Sequence, residues 1–400
     1  MSESSSNPDP SERFSLVAGG PFHELCSRLS LSSPVLAHVG RRSALVVALA
    51  WLPLLALTLI EGSIWKGTVP VPFFFDFEVH LRFLVALPLL FLAELPVHER
   101  LAKAVRQFSN RGLVRERDRP RFEAIVASTH GWRDSWLGEL AVLAVVYLVG
   151  RQAWLGLLSL DTATWYATPG DSGELLSWAG QWLVWVSVPI FQFVLYRWLF
   201  RLALWVVFLV RVSRLDFDLV PTHPDRAGGL GFLGTNSLGF SVLLASVGVL
   251  LSGTIANFIF FDGARLPQYK LEIAGMVAAL LLLILGPLTA FTPKLLRVRR
   301  AGLGEYGTLA MRYVRGFDAK WLRGAGGGAG EATELMGSAD IQSLADLANS
   351  YEIVRTMRSV PFGRETAFKL AAAVIAPILP LALTMIPLEE LLDRLISVLF

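Results

Sequence analysis

Seven stretches of the chain are apolar along roughly a bilayer's thickness, and the segments between them are polar, charged or glycine-rich. They cover residues 43–60, 79–95, 137–158, 178–200, 238–261, 271–291 and 370–386. A helix needs about 20 apolar residues to cross a hydrocarbon core of about 30 Å, and each run comes near that length. The pattern predicts an all-α membrane protein of about seven transmembrane helices with cytoplasmic helical loops. It also divides the chain into a polar tail at 1–42 and spans one to six at 43–293, with a basic loop at 99–136. A helical region at 294–369 and the last span with its C-terminal segment at 370–400 complete it.

The fourth run does not end cleanly. Helix-compatible sequence, YRWLFRLALWVVFLVRVSRL, continues to Leu215. At 100° per residue Arg197, Arg201 and Arg211 share one sector of that helix. Such a stripe fits either a helix leaving the bilayer among anionic headgroups or one wall of an anion path.

Charge fixes the expected orientation. Loop 159–177 has no Lys or Arg, whereas 99–135 has nine and 294–369 has twelve. With the N-terminus in the cytoplasm this satisfies the positive-inside rule, and the reverse orientation violates it. Trp65, Trp154, Trp178 and Trp182 then fall at outer ends, and Trp132 and Trp136 at an inner end, as an aromatic belt. The odd number of spans places the C-terminus outside. No apolar signal-peptide core occurs in the first 40 residues, so the first span is expected to act as an uncleaved anchor after Arg41 and Arg42.

Composition agrees and removes several functions. Hydrophobic residues are 54% of the chain and charged residues 17%, against about a quarter charged in soluble proteins. The net charge is only +3, and its distribution follows topology, so nucleic acid is not an expected partner. A single cysteine, Cys26, excludes an internal disulfide framework and a cysteine-rich metal centre.

Beyond the sixth span lies a linker, GAGGGAGEA, and then SADIQSLADLANSYEIVRTMRSVP. In the second segment Ser338 is the expected N-cap, Asp340 lies in the first turn, Arg355 and Arg358 lie in the last, and Pro361 ends the helix. Ile341, Leu344, Ala348, Tyr351, Val354 and Met357 form one apolar face. That face must meet the body of the protein, a second protomer or a soluble cytoplasmic partner.

The most unusual stretch is LVPTHPDRAGGLGFLG, between the fourth and fifth spans. GLGFLG matches G-x-G-x-x-G in form, but an arginine-rich helix precedes it where a dinucleotide fold requires a strand. No P-loop occurs, and no cofactor is expected. Two local roles remain. Arg226, with backbone N–H groups opened by Gly228, Gly229 and Gly231 and flanked by His223 and Asp225, could bind a small anion. Alternatively the segment is a tight turn in which Asp225 caps the next helix and pairs an arginine of the fourth span.

Other groupings are weaker. Glu94 and His98 are i,i+4 neighbours beside Glu99, better suited to an interfacial charge cluster than to a metal. Asp76, Glu78, His80 and Arg82 mark the other end of that span, and Arg151 is a possible partner for these groups. Ser237, Ser241, Ala245, Gly248, Ser252 and Ala256 make a small-residue stripe suited to close helix packing. Pro88 and Pro287 lie at similar depths of the second and sixth spans, a faint internal echo. No Ser-His-Asp or H-E-x-x-H set occurs, so no catalytic residue is named.

PTHPDRAGGLGFL and DIQSLADLANSYEIVRTMR resemble two segments of a group of bacterial polytopic inner-membrane proteins of uncharacterised activity. The resemblance implies a bacterial inner membrane and carries no ligand or activity. The functional expectation is a channel- or transporter-like protein for a small anion or solute, using Arg197, Arg201, Arg211 and the Arg226 loop. The alternatives are a membrane-anchored interaction or signalling protein acting through residues 339–360, alone or as a homo-oligomer, and a lipid-modifying enzyme.

Overall fold

The computed structural model describes residues 14–21, 24, 39–65, 67, 69–150, 164–168, 175–323 and 339–385. Cys26, Arg151, Trp154, the linker at 324–332, Ser338 and residues 386–400 lie outside the described residues.

Among the described residues, six helices are long and apolar enough to cross a membrane. They are α1 (Val39–Glu61), α2 (Phe77–Asn110), α5 (Trp178–Val212), α6 (Phe232–Phe261), α7 (Leu266–Leu322) and α9 (Arg364–Met385). The third predicted span is described as a shorter apolar helix, α4 (Trp136–Gly150). Helix α3 (Arg119–Arg133) precedes α4, and α8 (Ala339–Arg355) precedes α9. The only strands among the described residues are β1 (Ala167–Thr168) and β2 (Leu175–Leu176), an antiparallel pair with Ala167 opposite Leu176. The fold is that of an all-α, multi-pass membrane protein.

Leucines at 45, 49, 52 and 59 of α1 and at 271 and 282 of α7 are exposed. Exposed apolar area on this scale needs an apolar solvent, which lipid supplies. Trp65, Trp132, Trp136 and Trp178 are also exposed near helix ends, as interfacial anchors are.

Helix α6 packs against both α2 and α9, and the small-residue stripe explains how it can. A Cβ added at Gly248 would lie 2.2 Å from the Val374 carbonyl oxygen, so only glycine lets the two backbones approach so closely. Proline shapes two other spans. The π-helical turns Leu81–Ala86 and Leu183–Ser187 come just before Pro88 and Pro189. A wider turn there accommodates the ring and the missing N–H without ending the helix. Near Pro287 the response differs, a 3₁₀ stretch at Gly286–Phe291, and the helix continues. Helix α7 is 57 residues long, about 85 Å at 1.5 Å per residue and far more than a bilayer core.

Its C-terminal half pairs with α8. Val354 is fully buried against the α7 surface at Gly302, where an added Cβ would meet Val354 at 3.1 Å. Met357 is buried too, Leu344 and Tyr351 are half-buried, and Ile341 and Ala348 remain exposed. The apolar face is buried most deeply at its C-terminal end, while the other end of α8 is tied to α7 by Asp340, which accepts from Tyr313 at 3.0 Å, Lys320 at 2.7 Å and Trp321 at 3.0 Å. Phe108, Phe122, Phe208 and Phe291, all buried, form an aromatic core from α2, α3, α5 and α7 at this same end, which carries the basic segments.

Candidate functional site

Helices α1 and α2 run in opposite directions, so the start of α1 lies beside the middle of α2. There Glu94 becomes the centre of a buried ionic network. Its Oε1 accepts a hydrogen bond from Arg201 Nη1 at 3.0 Å, and its Oε2 accepts one from Arg42. One turn before Arg201, the Nε of Arg197 lies 3.3 Å from Glu139 Oε1 on α4. The relative exposures of Arg42, Glu94, Arg197 and Arg201 are 2%, 3%, 7% and 6%. Four helices therefore contribute three arginines and two glutamates to one level of the bundle.

Such burial is costly unless every charge is compensated, and the surroundings supply most of the compensation. Arg201 also donates to the Val17 carbonyl at 3.2 Å and lies 5.1 Å from the Trp198 ring centroid. Arg42 stacks 5.0 Å from the Phe91 ring centroid. Trp198 is itself fixed by donating its indole N–H to the Leu90 carbonyl at 2.9 Å. The network retains one positive charge more than its two carboxylates neutralise. One turn deeper, Val46, Phe91, Leu143 and Val194 help line an apolar groove of about 410 Å³.

A segment of the N-terminal tail closes the network on its basic side. Phe14, Leu16 and Val17 are buried to 1–2% exposure. The Ser15 carbonyl accepts from Arg133 Nη1 at 2.7 Å, and the Ser15 hydroxyl lies 2.8 Å from His98 Nδ1. A cavity of only about 10 Å³ remains between Leu16, Arg133, Glu139, Arg197 and Arg201, at the lower limit for one water.

The arginine stripe thus divides. Arg197 and Arg201 enter the network, whereas Arg211 donates to Ser128 Oγ of α3 at 3.1 Å on the protein surface. Glu94 and His98, adjacent on α2, belong to the same end of the site but face different partners, and no group of three metal-ligating side chains occurs among the described residues.

The glycine-rich loop is built around an anion of its own. Asp225 Oδ1 accepts the N–H groups of Ala227 at 2.8 Å and Gly229 at 3.1 Å, and Oδ2 accepts that of Gly231 at 2.8 Å. Burial acts to raise the Asp225 pKa, but these three N–H groups and nearby His223 outweigh it and hold the carboxyl below its ordinary value. Gly228 and Gly229 adopt φ of 62° and 98°, and Arg226 adopts 53°. The arginine that reaches Asp225 comes from beyond α8: Arg358 donates to its backbone carbonyl at 2.6 Å. The Arg226 side chain is exposed. His223 Nδ1 lies 2.9 Å from Asp225 Oδ1. The nest that the sequence offered to a ligand is occupied by the loop's own carboxylate, and the loop clamps the segment after α8.

At the opposite end of the bundle Asp76 is buried and fully partnered. It accepts from Trp165 Nε1 at 2.9 Å and Asn257 Nδ2 at 2.8 Å. His80 lies between Trp51 Nε1 at 3.1 Å and the Phe73 carbonyl at 2.9 Å, a pattern a neutral ring with its proton on Nε2 satisfies. Glu78 pairs with Arg82. These contacts tie the first two spans to α6 and the β1 segment.

Sequence reasoning missed Arg42, Glu139, Arg133 and Ser15. In the sequence Arg42 carries only a topology signal, and Glu139 and Ser15 carry no spacing signal at all. No family model, no curated protein and no solved structure matches this chain.

Proposed function

We propose that this protein conducts or carries a small anion across a bacterial inner membrane, with its N-terminus in the cytoplasm. The observation that carries the reading is the buried network of Arg42, Arg197 and Arg201 with Glu94 and Glu139. Ionisable groups within a membrane bundle are expensive, and a net positive set among helices favours a transient anionic occupant. Glu94 competes with such an anion for Arg201, so anion entry and release of the Glu94 pair are alternatives at one guanidinium. The basic ends of α2, α3 and α7 support the orientation through the positive-inside rule. The glycine loop and Arg226 serve this reading by fixing the cytoplasmic helices rather than by holding the solute.

The test is efflux of chloride, nitrate and phosphate from liposomes containing the purified protein. Selective anion efflux is expected, and liposomes that remain tight to all three contradict the reading.

One observation favours a second reading, interaction with a soluble partner or a second copy. Leu309, Met311, Val314 and Ile341 are exposed on the α7–α8 hairpin, on lengths of helix that exceed the bilayer. A stable co-purifying partner, lost on Met311→Glu, would favour it. The lipid-modifying alternative gains no such support, because His223 and Asp225 are engaged with each other and with the loop backbone.

A further inference from the structure

The segment at 14–20 is the least expected part of the site. Its side chains fill an apolar bed, with Phe14 5.3 Å from Phe208 and 5.4 Å from His130 between ring centroids. Its backbone does something different. Two neutral carbonyl oxygens, of Ser15 and Val17, sit on the guanidinium groups of Arg133 and Arg201. Each guanidinium also holds a carboxylate, Arg133 by a fork to Asp134 at 2.6 and 2.7 Å and Arg201 through Glu94 at 3.0 Å. The two carbonyls therefore take the remaining N–H groups, where an anionic oxygen makes a stronger hydrogen bond than a peptide carbonyl does. The bed is also imperfectly matched to its occupant. Trp205 Nε1 and His130 Nε2, on the two rings that meet Phe14, are buried without a hydrogen-bond partner, a rare condition in a permanently packed core. The turn that leads away from the bed, at Gly19 and Gly20, holds φ of 134° and 89°.

We infer that segment 14–20 is a removable self-ligand, whose carbonyls occupy an oxyanion site formed by Arg133 and Arg201 and whose release opens the network to the cytoplasmic side. The inference rests on the proposed function for its consequence, gating, but not for the exchange itself. The ligand class is an oxyanion of phosphate or carboxylate type, in solution or as a lipid headgroup whose chain lies in the neighbouring apolar groove. Occupation and closure are then mutually exclusive, so the oxyanion favours the open form by mass action.

The experiment reads exchange directly. In the full chain with Cys26→Ser, Val17→Cys places a thiol at a position that is 1% exposed with the segment seated. Its labelling rate by a membrane-impermeant maleimide is measured in open membranes while inorganic phosphate is added. Phosphate should raise the rate about tenfold, a shift of about 1.4 kcal/mol in the seating equilibrium. Gly19→Val, which strains the positive-φ turn, should raise it without phosphate. Arg201→Gln and Arg133→Gln should each remove the phosphate effect. Arg133 lies at the rim, so its variant keeps the test valid if loss of Arg201 prevents folding. Liposomes of phosphatidylglycerol, compared with phosphatidylcholine in the absence of phosphate, report whether a headgroup substitutes. Acceleration by either source supports the inference. Slow labelling that neither phosphate nor phosphatidylglycerol changes, or acceleration that persists in Arg133→Gln, overturns it. Labelling follows the segment whether or not anions cross, and efflux follows anions whether or not the segment moves, so the two readings fail separately.

Discussion

Arg358 holds Arg226 and its neighbour by two bonds: its backbone N–H donates to the Arg226 carbonyl at 2.7 Å, and its side chain to the Asp225 carbonyl at 2.6 Å. The two most distinctive segments of the sequence are therefore two halves of one clamp. The loop fixes where the chain turns from α8 into the last span, and Gly234 donates to the Pro361 carbonyl at 3.1 Å to extend the contact. Replacing Arg358 by Ala removes the side-chain bond and leaves the Asp225 carbonyl short of a donor, a loss of about 1–3 kcal/mol. Amide exchange should accelerate across α8 while α1 and α2 stay protected. Unchanged exchange in α8 would show that the clamp does not hold the helix.

The clamp should weaken in acid. The folded-state pKa of Asp225 is depressed, so its stabilising contribution is complete above the unfolded carboxylate value, about 3.9. It is lost as pH falls through the lower folded value. Asp225→Asn should mimic that loss at neutral pH, because an amide nitrogen would face the Gly231 N–H. The expected result is a lower melting temperature at pH 7, by about 1–3 kcal/mol in stability, and a flatter acid limb. Equal acid sensitivity in both proteins would place the titrating group elsewhere.

Arg226 itself should be replaceable. At φ 53° a glycine is tolerated without strain and a β-branched residue is not. Arg226→Gly should fold and behave as the parent, whereas Arg226→Val should lower folded yield. A loss of anion efflux in well-folded Arg226→Gly would return this residue to the site.

The close approach of α6 and α9 offers a sharper packing test. Gly248→Ala must displace the Val374 backbone, and a loss of several kcal/mol is expected, in the range of severe core changes. Gly275→Ala, on α7 with nothing within 4 Å of the added Cβ, should be neutral or stabilising by about 0.5–1 kcal/mol. Detergent-solubilised thermal unfolding distinguishes them, and equal effects would contradict the packing described.

The spans were legible because bilayer thickness imposes length and apolarity on each helix, independent of what it packs against. Partner choice was not. Glu94 meets Arg42 and Arg201 at sequence separations of 52 and 107 residues, and no local period encodes such a pairing. Arg197 and Arg201 could be singled out by their shared helical face, but Arg211 on that same face goes to the surface of α3. The segment at 14–20 was invisible for a different reason. A few apolar residues in a polar tail carry neither helical nor strand periodicity, and only tertiary burial makes them part of a site. The loop was recognised as special from its glycines and prolines, yet its partner could be read only from coordinates.

Anion efflux from liposomes containing the parent protein, Arg201→Gln and Arg211→Gln tests the central claim most directly. Both substitutions remove one positive charge from the same face of α5, but only Arg201 belongs to the buried network. The account predicts anion-selective efflux from the parent, retained in Arg211→Gln and reduced at least about tenfold in folded Arg201→Gln, equivalent to about 1.4 kcal/mol at the limiting step. Equal efflux from all three proteins, or efflux that selects cations, would contradict it.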